Sequence, residues 1–143
     1  MPDAPVDDLA RADAGIDRVQ AFGRFLALVR HLCLQAAQRL EADGISAEVL
    51  DLRALKPLDR ESIRKSVEKT HRVLVAEEDE APVGVGAEIM AVITEDCFYA
   101  LDAQPVRIHA ADVPVPYNAK LEKAAIPSAD DVYHGALKVV GKI

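Results

Sequence analysis

From Phe25 to Leu40 the apolar residues Val29, Leu32, Cys33, Ala36, Ala37 and Leu40 recur at helical spacing, and Asp43-Gly44 closes the run as a C-terminal cap would. The spacing predicts an amphipathic helix lying on a sheet. Ile45 to Leu52 first alternates and then turns apolar apart from Asp51, the pattern of a strand buried on both faces for part of its length. Pro57 delays the next helix, Asp59 stands where a carboxylate accepts from free N–H groups, and Ile63 with Val67 forms a stripe ending near Lys69. Arg72 to Ala76 is a second short buried strand. An acidic loop, Glu77 to Glu80, leads through Pro82 to Gly84-Val85-Gly86-Ala87-Glu88, after which Ile89, Met90, Ile93, Cys97 and Leu101 mark another helix. Val106 to Ala110 is a third strand. A proline-rich loop from Ala111 to Pro127 then reaches Ser128-x-x-Asp131, a capping box opening a last helix with Val132, Ala136, Val139 and Val140 on its inner side.

Alternation of helix and strand in this order implies an α/β fold: a parallel sheet with right-handed crossovers and helices on both faces. Val19 to Phe22 adds one edge strand to this expectation. Residues 1–17 hold two prolines and five aspartates without apolar periodicity and read as a disordered leader or tail, leaving 18–143 as the folded domain. A chain of 143 residues fits one domain with a real core, and that core is aliphatic, because Trp is absent and Phe and Tyr number three each.

Charge narrows the partners. A formal net charge of −7 without a dense Lys/Arg cluster argues against a nucleic-acid partner and suits a basic protein partner better. Cys33 and Cys97 are isolated thiols within predicted helices, as expected of buried free cysteines in a reducing compartment. The longest apolar run, Phe25 to Val29, is too short to cross a bilayer, and the acidic start does not resemble a signal peptide, so the expected location is the cytosol and no membrane partner is expected.

Several residues invite chemistry. Gly84 and Gly86 before a helix could cradle a small anion or nucleotide, although the third glycine and the P-loop lysine are missing; a turn that packs the helix tightly on its strand is the favoured reading. Glu77 to Glu80 could hold a divalent cation, against the commoner solvated acidic loop. The histidines, His31, His71, His109 and His134, are scattered, and no acid/base pair can be nominated from spacing. Val113, Pro114, Val115, Pro116 and Tyr117 place apolar groups on a stiff loop that should be exposed in an isolated domain, which favours an interface.

Taken together, GISAEVLDLRALKPLD, SVEKTHRVLVAEED, GVGAE, FYALDAQPVR and ADVPVPYNAKLEKAAIPS resemble the C-terminal domain of the beta subunit of thiamine-diphosphate-dependent 2-oxo acid dehydrogenases, the pyruvate, branched-chain 2-oxo acid and acetoin enzymes. The likeness runs collinearly from about His31 to the end. It implies the transketolase C-terminal fold, a three-layer α/β/α sandwich with a mostly parallel five-stranded sheet and one antiparallel edge strand. It also implies that the thiamine diphosphate and Mg²⁺ of the parent enzyme lie between the alpha subunit and the pyrimidine-binding domain of the beta subunit, which this sequence does not contain. No catalytic, cofactor-binding or metal-binding residue is therefore expected here, and the chain alone should be inactive. The resemblance implies instead contacts with an alpha subunit, with a second beta subunit as a homodimer, and with the subunit-binding domain of the acyltransferase core. The positions matching the family's docking groups are Asp102 and the carboxylate of Ile143. The start departs from the family: Arg18 to Gln20 makes a poor strand.

Overall fold

The computed structural model describes residues 17–23 and 26–143, with side chains from Val29 onward. In chain order these are β1 (Asp17–Gly23), α1 (Leu26–Ala42), β2 (Ile45–Asp51), α2 (Arg60–Thr70), β3 (Val73–Glu80), α3 (Val85–Cys97), a 3-10 turn (Phe98–Ala100), β4 (Val106–Ala110), α4 (Ala119–Ala125) and α5 (Ala129–Val139). The strands form one sheet in the order β2-β1-β3-β4, and every pair is parallel.

Alternation along β3 divides the core in two, because successive side chains of a strand point to opposite faces. Leu74 and Ala76 pack with Val29, Cys33, Ala36 and Leu40 of α1 and Val132, Ala136 and Val139 of α5. Val73 and Val75 pack on the other side with Ile63 and Val67 of α2 and Ile89, Val92 and Ile93 of α3. The three layers are thus α1/α5, sheet and α2/α3. The inner stripes are those the periodicity predicts, and both cysteines are buried.

Local signals end the elements where expected. Gly44, at φ +76°, takes the left-handed conformation that closes α1. Asp59 caps α2 by accepting from the Ser62 N–H at 3.0 Å. Ser128 and Asp131 exchange the reciprocal bonds of a capping box at the start of α5.

The α/β architecture agrees with expectation, but three details differ. Val19 to Phe22 lies inside β1, which is an interior strand: 17–23 pairs with 45–51 on one side and 20–23 with 73–76 on the other. Its polar residues disguise a position fixed by neighbours on both edges. Second, the sheet has four strands among the described residues, all parallel, rather than five with an antiparallel edge. Pro114 and Pro116, in the chain leaving β4, have no N–H to offer a further ladder. Third, Glu77 to Glu80 forms the end of β3, not a loop. The expectation for residues 1–17 falls, apart from Asp17, outside the described residues. Among those described, no helix is long and apolar enough to cross a membrane.

The α2 cap supplies a pH test. The backbone N–H and then the hydroxyl of Ser62 hold the Asp59 carboxyl below its usual range. A carboxyl lowered by folding contributes stability in full above its unfolded pKa of about 3.9 and loses it as pH falls through the folded value. Asp59→Asn is expected to flatten the acid limb of the melting-temperature profile below about pH 4, measured by circular dichroism, with little change at pH 7.

Candidate functional site

The buried chemistry gathers at the carboxyl end of β3. Glu77 follows Val73 and Val75 on the α2/α3 face of the sheet, where it is 2% exposed. Arg107 of β4 pairs in register with Val75, so the two side chains meet on that face. Arg107 Nε donates to Glu77 Oε1 at 2.5 Å, and a terminal guanidinium nitrogen forms an ion pair with the same oxygen. The other carboxylate oxygen accepts from the backbone N–H of Gly86 at 2.7 Å, in the first turn of α3. Glu77 is therefore an internal anion at a helix N-terminus, where unpaired N–H groups and the helix dipole favour negative charge.

This arrangement explains the glycines. A Cβ on Gly84 would stand 2.5 Å from Glu77 Oε2 and 2.8 Å from an Arg107 nitrogen. A Cβ on Gly86 would overlap Glu77 Oε1 and lie 2.6 Å from its carboxyl carbon. The glycine turn packs α3 against its strand, as the favoured reading has it. Where the alternative reading would seat an anion or nucleotide, at Gly84 and Gly86, the structure places the Glu77 carboxylate. The cation that Glu77 faces is the Arg107 guanidinium, and its other oxygen is engaged by the Gly86 N–H. Among the described residues no three His, Cys, Asp or Glu side chains converge as a metal would need.

The remaining candidates are on the surface. The 3-10 turn exposes Phe98 at 59% and Tyr99 at 100%, the two rings meeting edge to face with centroids 5.3 Å apart. Asp102 follows on a bend, exposed, with no hydrogen bond or ion pair from its carboxylate among the described residues. Val113, Val115 and Tyr117 are exposed, as is Pro114, while Pro116 is partly covered. Ala111 is tied to the end of α4 through its N–H to the Ala125 carbonyl. That short helix, capped by Asn118, lies within the segment that reads as loop. Its start is signalled only by the Asn118 cap. Ile143 is exposed beyond α5, and no hydrogen bond or ion pair joins it to Asp102.

The histidines do not form a site. His31 bonds to Gln35, His109 to the Ala110 carbonyl and His134 to the Asp130 carbonyl, each local. His71 alone reaches a distant segment, the Ala100 carbonyl. Burial pushes the Cys33 thiol up to about 12, which leaves it protonated and inert.

Residues 26–132 match the family model described as the transketolase C-terminal domain. The mitochondrial pyruvate dehydrogenase E1 component subunit beta-1 of Oryza sativa subsp. japonica is 50% identical over 103 residues, 72% of this chain and 28% of the relative. The mitochondrial pyruvate dehydrogenase E1 component subunit beta of Caenorhabditis elegans is 48% identical over 106 residues, 73% of this chain and 30% of the relative. The chain thus spans less than a third of the length of these relatives. A solved structure described as a split gene transketolase, inactive beta4 tetramer, superposes with a TM-score of 0.70 at 28% identity, covering 87% of this chain and 40% of that one.

Breaking a buried ion pair from one side strands the other charge. Arg107→Met is expected to lower the unfolding free energy by about 3–5 kcal/mol in urea denaturation. Adding Glu77→Gln to that variant should recover much of the loss, because no buried charge then remains.

Proposed function

The chain belongs to the transketolase C-terminal domain family, in the form found in 2-oxo acid dehydrogenase beta subunits, and we propose that it works through protein contacts as the noncatalytic C-terminal domain of such a subunit. Its tasks are to complete subunit interfaces and to dock the acyltransferase component. The observation that carries the docking reading is the exposed Asp102 carboxylate, which has no hydrogen bond or ion pair among the described residues and follows the exposed Phe98 and Tyr99 closely in the chain. An acidic group of that kind speeds encounter with a basic module and fixes register once it is desolvated. The carboxylate of Ile143 is the second docking group in this reading.

The loop Val113, Pro114, Val115, Pro116, Tyr117 supports the assembly role. Exposed apolar side chains on a segment stiffened by proline suit burial against an alpha subunit or a second beta subunit. The solved split-gene relative is a beta4 tetramer, and we extend self-association, as a homodimer, to this chain. Thiamine diphosphate and Mg²⁺ are assigned to the parent enzyme, outside these residues. A reducing compartment suits the two buried thiols, and the cytosol is the setting we propose.

Isothermal calorimetry against the purified subunit-binding domain of an acyltransferase component tests docking. One-to-one binding that weakens from low to physiological salt is the expected result. Asp102→Ala should weaken it by roughly thirtyfold, about 2 kcal/mol. Absence of binding by a folded, monodisperse sample, or equal affinity in the variant, would overturn the docking role.

A further inference from the structure

The segment carrying Asp102 owes its position to a residue thirty-one places earlier in the chain. His71 closes α2 at φ +58°, a left-handed conformation rare for a residue with a side chain. From there its ring Nδ1 lies 2.7 Å from the carbonyl oxygen of Ala100. A carbonyl can only accept, so Nδ1 carries the proton. The backbone carbonyl of His71 in turn accepts from the N–H of Asp102 at 2.9 Å. One residue thus holds the segment at both Ala100 and Asp102, while the Leu101 N–H returns to Phe98 within the 3-10 turn.

We propose that His71 is the positioning residue of the docking surface: its ring and carbonyl hold the 98–102 segment so that Tyr99 and Asp102 are presented together, ready-made, to a basic protein module. The inference rests on the docking reading above. An aromatic ring three residues from an exposed carboxylate, unpaired among the described residues, suits an arginine or lysine, which can stack on the one and pair with the other. Presenting them in a fixed geometry removes an ordering cost from binding. The left-handed backbone at His71 is part of the device, because it turns the ring and the carbonyl toward the same neighbouring segment.

Two substitutions separate the ring from the backbone. His71→Gly keeps the left-handed conformation and the carbonyl but deletes the ring. His71→Asn also tolerates that conformation, and its amide nitrogen stands as many bonds from Cα as Nδ1, so it can donate to Ala100 in the same way. The probe is the purified subunit-binding domain of an acyltransferase component, titrated by calorimetry, beside amide hydrogen exchange of the chain alone. His71→Gly should weaken binding roughly fivefold, the worth of one hydrogen bond, and speed exchange at Asp102; His71→Asn should restore both. Unchanged affinity and exchange in the glycine variant, or an asparagine variant no better than glycine, would overturn the proposal. A wild-type chain that does not bind overturns the docking reading instead, and the exchange measurement still decides whether His71 holds the segment.

Discussion

A carboxylate buried at the end of a central strand is costly unless each of its oxygens is met, and the position of Glu77 sets that demand. Arg107 meets it from β4 and the Gly86 N–H meets it from α3. Each partner fixes something larger than itself. The arginine reaches Glu77 because it lies opposite Val75, so a slip of one residue between β3 and β4 would send it to the other face of the sheet. The backbone bond fixes where α3 begins and how closely its first turn approaches the strand. Side chains at positions 84 and 86 would occupy the space of the carboxylate. The polar core is thus a registration device, while the aliphatic clusters on the two sides of the sheet supply the bulk of the burial.

What is fixed at one end of α3 is delivered at the other. The thirteen-residue helix carries the chain about 20 Å from Val85 to the 3-10 turn. There the last turn of α3 is clamped to α2 by Arg60, which bonds to both carboxylate oxygens of Asp96 and to Glu95. Ion pairs this exposed contribute little to stability one by one, but the bidentate geometry restricts orientation. His71, at the far end of the same helix α2, bonds to Ala100 and Asp102 just beyond. The α2/α3 pair therefore forms a frame running from the buried anion to the exposed Asp102.

Elements whose signals are local were legible in the sequence. The stripes of α1, α2, α3 and α5, the caps at Asp59 and Ser128 and the stop at Gly44 each depend on neighbours a few residues apart, and the resemblance read from five short segments pointed to the family that residues 26–132 match. What was hidden depended on distant chain. The polar strand β1 is held by ladders on both edges, so its composition says little about its place. Glu77 looked like the first residue of an acidic run, because nothing near it announces that Arg107, thirty residues on, will bury it. His71 looked like one of four scattered histidines, since its partner is twenty-nine residues away. The spacing of the glycines predicts a packing turn, and the structure adds the reason in the carboxylate they accommodate.

The exposed apolar groups also sort themselves by what lies around them. Val113, Val115, Tyr117 and Leu121 stand on a stretch stiffened by Pro114 and Pro116 and pinned by the Ala111–Ala125 bond. Such a surface loses little entropy when covered and gains by leaving water, which is the character of permanent subunit contacts. Phe98 and Tyr99 stand instead a few residues before the exposed carboxylate of Asp102, which has no partner among the described residues. Charge next to an aromatic ring suits partners that arrive quickly, are oriented by electrostatics and leave again. In the proposed reading one domain holds its own assembly together with the first surface and exchanges a partner on the second, because the two draw on different forces.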